Sequence, residues 1–189
     1  MQDPALLLEA HYTVGVPLFY LGELSCAHEH LEQALALYES TQHHAQALHG
    51  WDSGVASLSY VALTLWLLGY PEQALRRSQE ALSLPHDIPY PHSQAFAFFF
   101  AAVLHHLRGE TQAARERAEA AVILANEQGF AFLLASGSIV KGWALVEQGQ
   151  EGEGVALIHQ SLAATRVTDA ELARTYYLAS LVTAYGKIE

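Results

Sequence analysis

The sequence predicts an all-α fold of about four stacked helical hairpins followed by one last helix, and three observations predict it. Alanine and leucine dominate while β-branched residues are sparse, a composition that favours helix over strand. Five glycines, Gly22, Gly69, Gly109, Gly149 and Gly186, each close a long apolar stretch, at intervals of 47, 40, 40 and 37 residues. Small residues then recur at fixed offsets from the first four glycines. Five residues after them stand Ala27, Ala74, Ala114 and Gly154, and seven further on Ala34, Ala81, Ala121 and Ser161. Each of the latter is followed by a larger apolar residue: Leu35, Leu82, Val122 and Leu162. Seven residues before the glycines stand Gly15, Ala62, Ala102 and Gly142, with Ala179 before Gly186.

The physical content of this pattern is specific. A glycine that ends a helix takes the positive φ of a C-cap and a tight turn. Small residues on facing helices let two backbones approach, and their large neighbours fill the grooves beside them. One hairpin cannot bury both of its faces, whereas a stack of hairpins buries a continuous core.

Taken in order, the first hairpin is expected over Pro4–Leu21 and Leu24–Glu39. The second spans Ser53–Leu68 and Pro71–Leu84, with Asp52 or Ser53 as its cap and Pro71 in a first helical turn. The third spans His92–Arg108 and Thr111–Gln128. Gly129 separates it from the fourth, Phe130–Gln148 and Gln150–Arg166. A last helix runs over Asp169–Tyr185, capped by Thr168 or Asp169. Two longer connectors remain, Ser40–Asp52 and Pro85–Pro91, the second holding three prolines that forbid helix. Neither is long enough to divide the chain into separate domains. The expectation is one domain over 1–189, with repeats at 4–39, 53–84, 92–128 and 130–166 and a final helix at 169–185.

Composition also excludes functions. The formal net charge is −11, and nine basic residues face twenty acidic ones. A nucleic-acid partner needs a basic surface to displace phosphate counterions, so none is expected. An anionic membrane surface would repel the chain. The longest apolar run, Ala95–Leu104, is too short for a span. No basic region precedes the apolar start, so no secretory signal is read, and a cytoplasmic location is expected. The single cysteine, Cys26, allows no intrachain disulfide. Its place beside the small residue Ala27 suggests a buried packing role.

No catalytic, cofactor or metal site is expected. His28 and His30 lie two apart on a helix and diverge, as do His105 and His106, and His43 and His44. No histidine pair has the i, i+4 spacing beside a carboxylate that a helical metal site uses. Glu110, Glu116, Glu119, Glu147, Glu151 and Glu153 are scattered and form no acid–base pair. They read as solvated faces.

The glycine and alanine register resembles the tetratricopeptide repeat (TPR), a helix–turn–helix unit with small residues at its eighth, twentieth and twenty-seventh places. The intervals exceed the usual repeat, the extra residues falling between units. A second resemblance covers almost the whole chain. The stretches Asp3–His11, Leu65–Ala74, Glu127–Phe130, Gly142–Gly149 and Ala170–Leu178 look like the C-terminal helical region of large bacterial signalling proteins. Those proteins carry an adenylate/guanylate cyclase domain or related sensor, then an AAA-like ATPase module, then a helical array. Here Pro85–Pro89 interrupts a helix that the family would continue, and Lys141 replaces an apolar residue beside Gly142. No Walker A loop or cyclase motif is present, so neither activity belongs to these residues.

The resemblance implies a TPR-like right-handed superhelix whose concave groove is lined from set places in each repeat. Those places hold Tyr12, Phe19, Trp66, Phe96, Phe99, His106, Trp143 and Tyr176. Phe98 falls instead on a place that packs inside the hairpin. The groove is apolar and aromatic, without the Lys, Arg and Asn that hold an acidic tail. The expected function is a non-catalytic protein–protein interaction or regulatory module of a larger signalling protein. Its partner would be a protein or peptide segment, including other domains of the same protein, and a homodimer through the last helix is a further arrangement. The alternative is a sensor whose interior encloses an apolar small molecule or peptide.

Overall fold

The computed structural model of the chain describes residues 3–40, 51–84, 90–167 and 173–187. Among these, the regular elements are nine α-helices: α1 (Pro4–Leu21), α2 (Leu24–Ser40), α3 (Ser53–Leu67), α4 (Pro71–Ser83), α5 (Pro91–Leu107), α6 (Thr111–Gln128), α7 (Ala131–Glu147), α8 (Glu151–Val167) and α9 (Arg174–Tyr185). Apart from the start of α9, the described ends lie within one residue of those read from the sequence; α9 begins at Arg174, with Ala173 as its cap. The expected start of α9 and most of both connectors lie outside the described residues.

Glycine turns join the helices of each hairpin. Gly22, Gly69, Gly109 and Gly149 all hold φ between 72° and 88°. The residue after each glycine donates its N–H to a carbonyl five positions back: Glu23 to Leu18, Tyr70 to Leu65, Glu110 to His105 and Gln150 to Leu145, at 2.8–3.0 Å. This is the bond that satisfies the orphan carbonyls of a helix end. Gly186 departs from the set, with φ of −64°. No helix turns back after it among the described residues.

The small positions are buried where the register puts them. Ala27, Ala74 and Ala114 are wholly inaccessible, and Gly154 is buried. In the α7–α8 hairpin the backbones are closest. A Cβ at Gly142 would stand 2.8 Å from the Gly154 carbonyl, and one at Gly154 only 2.5 Å from that of Gly142. Ala179, the fifth member, is exposed.

The described contacts fall into two compact units, Met1–Phe100 and Ala101–Glu189, and the division lies within α5. In the first unit α1 packs on α2 and α3, α2 on α3, and α3 on α4. Residues 53–65 of α3 are all buried. Asp52 organises one end of this unit. Its carboxylate caps α3 by accepting from the Val55 N–H at 2.8 Å and also accepts from the Tyr38 hydroxyl at 3.0 Å. The Asp52 N–H donates to Ser93 Oγ at 2.9 Å, and Ser53 donates to Glu9. A cap and a tertiary tie thus share one carboxylate. Pro17 sits inside α1 and is exposed, as is Thr13, whose carbonyl loses its helical partner to the proline.

In the second unit α6 packs on α7, α7 on α8, and α9 on both α7 and α8. Tyr177 anchors α9. It is 1% exposed, and its hydroxyl lies 2.7 Å from Ser136 Oγ on α7. No described helix is long and apolar enough to cross a membrane.

Two expectations are corrected here. Cys26 is exposed rather than buried. The helix turns about 100° per residue, so burying Ala27 against α1 carries its predecessor towards solvent. Phe98 is not a core residue. Over 95–104 it is the one side chain not fully buried, because Phe96 and Phe100, four apart, point inward together.

Candidate aromatic binding surface

The eight candidate residues fall into two sets. Tyr12, Phe19, Trp66, Phe96 and Phe99 belong to the first unit, and His106, Trp143 and Tyr176 to the second. Tyr12, Phe19, Trp66, His106 and Tyr176 are half-buried. Phe96, Phe99 and Trp143 are only 4–6% exposed, so their rings support the surface from within rather than line an open groove.

In the first unit Tyr12, Phe19 and Phe96 are assembled around Tyr60, which the repeat register did not single out. Its ring centroid lies 4.7 Å from Phe100, 5.5 Å from Phe19, 6.1 Å from Phe96 and 6.4 Å from Tyr12. Most of these pairs are tilted or edge-on, the arrangement ring quadrupoles favour. Phe96 and Phe100 stack at 4.3 Å, and Trp51 closes on Phe96 edge-on at 4.8 Å. Phe99 joins through Phe100 at 5.4 Å. The Tyr20 and Tyr60 hydroxyls lie 3.3 Å apart. Burial pushes the hydroxyl pKa of both Tyr12 and Tyr20 upward, and the Glu9 carboxylate adds to the rise at Tyr12. Tyr60, Trp51, Tyr20 and Phe100 thus belong to the same ring cluster, and the register missed them. For Tyr60 and Trp51 aromatic character was the only sequence signal, because their ring partners lie on other elements, whereas Phe100 stands four residues after Phe96 on α5.

In the second unit α5, α7 and α9 bring three candidates together. The His106 ring lies 4.0 Å from the Trp143 ring at an interplanar angle of 30°. Its Nδ1 is 2.5 Å from the Tyr176 hydroxyl. Burial pushes the His106 pKa down to about 4 and the Tyr176 pKa up. Both groups are therefore neutral near pH 7. The two are joined by one hydrogen bond between His106 Nδ1 and the Tyr176 hydroxyl. Nearby, Glu110 accepts from Arg108 at 2.8 Å and pairs with His105 at 2.6 Å. The hydrogen bond from Arg108, with the contact to His105 adding to it, holds its carboxyl below the usual range.

The second unit also carries an open apolar cleft of about 440 Å³ between α7 and α8. Ala131, Leu134 and Ser138 line one wall and Leu157, Ser161 and Ala164 the other. None of the eight candidates borders it.

Charge is unevenly distributed among the helices. The odd-numbered helices, which carry all eight candidates, hold only Glu9, Lys141, Glu147 and Arg174 as charged residues, against fifteen in the even-numbered four. What the aromatic surface offers a partner is apolar area, ring edges and a few hydroxyls.

No family model matches the chain, and no curated protein matches it. Solved structures do. The TPR-like repeats of a kinesin-light-chain type protein from Podosopora anserina align over 99% of this chain and 88% of that one, with a TM-score of 0.66 and 19% identity. A Rap protein complexed with competence and sporulation factor aligns over 98% of this chain at a TM-score of 0.78 and 14% identity. This chain spans about half, 53%, of that Rap protein. BtubC from P. vanneervenii aligns over 90% of this chain and 67% of its own, with a TM-score of 0.68 and 18% identity. The fold is a TPR-like helical repeat.

Proposed function

We propose that this chain is a non-catalytic interaction module, one repeat domain whose two units each offer an aromatic odd-helix surface to an apolar, helix-forming protein segment. The near absence of charge on those helices carries the reading. Such a surface rewards an amphipathic helix laid apolar side down, and aromatic anchors supply most of the energy of such contacts. An acidic tail would find only Lys141 and Arg174 as cations on the odd helices. The Rap neighbour, solved with a bound factor, supports a TPR-like array in this role.

The finer reading is a regulatory segment of a larger signalling protein of the cyclase or ATPase type, and it rests on the resemblance of the stretches named above. Its partner would then be another domain of the same protein. A homodimer is the competing arrangement. It draws on α9, which exposes Leu178, Val182 and Tyr185 at i, i+4 and i+7. A small apolar ligand is the second reading, and the cleft between α7 and α8 favours it.

Peptide titration tests the proposal. An amphipathic apolar helix is expected to bind and an acidic peptide is not. Trp66→Ala and Tyr176→Ala should each weaken binding. Affinity unchanged by both substitutions overturns this surface as the site. Failure of the purified cyclase or ATPase modules to associate with the chain, in cis or in trans, overturns the finer reading.

A further inference from the structure

Outside the aromatic surface, two histidines from neighbouring helices face one another. His11 on α1 and His30 on α2 approach with their Nδ1 atoms 3.0 Å apart and their ring centroids 5.1 Å apart. The sequence hides this pair. The residues are nineteen apart, and their meeting depends on the antiparallel packing of α1 on α2. Below them the hairpin is tightly closed, since a Cβ at Gly15 would stand 2.8 Å from Leu31. That contact fixes the register of the two helices close to both histidines.

We propose that His11 and His30 form a two-histidine site for a divalent transition ion of the copper or nickel class. Imidazole nitrogens bind such ions at about 2.0–2.1 Å. At that bond length, two nitrogens 3.0 Å apart subtend roughly 95° at the ion. This is the angle between adjacent positions of a square-planar or octahedral sphere, the geometries of Cu²⁺ and Ni²⁺. A tetrahedral Zn²⁺ would need the nitrogens about 0.3 Å further apart.

Without the ion, one ring donates its Nδ1–H to the other. An ion is held when both Nδ1 lone pairs face it, which requires each ring to carry its proton on Nε2. No group of three His, Cys, Asp or Glu among the described residues could hold a metal, so water fills the remaining positions. Both rings are half-buried, which leaves one side of the pair open to that water. The net charge of −11 raises the local concentration of any cation.

The test is calorimetric titration of tag-free protein with CuCl₂, NiCl₂ and ZnCl₂, with Ni²⁺ line broadening followed by NMR. One equivalent of Cu²⁺ or Ni²⁺ is expected to bind more tightly than Zn²⁺ and to broaden the ring signals of His11 and His30 first. His11→Ala and His30→Ala should each weaken binding about 100-fold or more, because one ligand of a chelate is lost. His28→Ala, on the same helix, should leave it unchanged. The broadening is read on the unaltered chain, so it holds even where a variant fails to fold. Absence of binding, which would make the pair a shared-proton hydrogen bond only, overturns the site. So does broadening centred on His105 or His159, or affinity retained in the two alanine variants.

Discussion

The two aromatic clusters differ in what holds them. The first is a ring cluster centred on Tyr60, joined by edge-on packing and one long hydroxyl contact. The second is a three-member chain, Trp143 to His106 to Tyr176, whose middle member titrates. The same helical register thus carries a cluster that depends on ring area and another that depends on a protonation state. The difference follows from one residue. His106 occupies the place that Phe19 and Trp66 hold in the other hairpins.

Four substitutions or conditions would break or sharpen that contrast. Tyr60→Ala should cost the most, about 3–5 kcal/mol, because a large ring 6% exposed leaves a cavity touched by five others. Urea unfolding would read it, with exchange protection lost in α1 and α3 first. A cost below about 1 kcal/mol would show that the rings close over the gap.

Acid should act on the second cluster. Burial holds His106 near 4 in the folded chain, below its ordinary value of 6.5. The unfolded chain therefore takes up a proton first as pH falls. The stability that the neutral ring contributes is full above pH ~6.5 and declines from there to about 4 by up to roughly 1.4 kcal/mol per pH unit. Below about 4 this group changes nothing further. His92, at the edge of the first cluster beside Trp51, is also lowered by burial, so some slope will remain without His106. Urea midpoints of the parent and His106→Phe across this window separate the two. An unchanged slope would remove the titrating pivot.

Tyr176→Phe isolates the hydrogen bond from the burial. It leaves Nδ1 without its partner and should cost about 1–2 kcal/mol at neutral pH. The acid window should persist, because burial rather than this bond lowers His106. Tyr20→Phe should have the smallest effect, below about 1 kcal/mol, since its contact with Tyr60 is long and half-buried. Thermal unfolding with matched controls would resolve both.

The contrast between the clusters was only partly legible in the residues. The places of Tyr12, Phe19, Phe96, Trp143 and Tyr176 followed from counting back from each glycine. Their division into half-buried contacts and buried supports did not. Phe98 and Cys26 show the reason. Helical phase fixes which residues share a face, but how much of the circumference is covered depends on helices distant in the chain. Tyr60 was overlooked on the same ground, being one residue off the register while its ring neighbours come from α1 and α5.

What the sequence determined by itself is therefore local or strictly periodic. It set nine helices, the positive-φ glycine turns and the small residues at which two backbones meet. These are governed by φ, by Cβ volume and by separations of a few residues, and they repeat. The tertiary structure alone decided the pairings that join helices across hairpins and within them: Tyr60 with five rings, His106 with Tyr176, Asp52 with Tyr38 and Ser93, and His11 with His30. Each needs two side chains from distant points of the chain to arrive at one place, and only the packed register of whole helices supplies that coincidence.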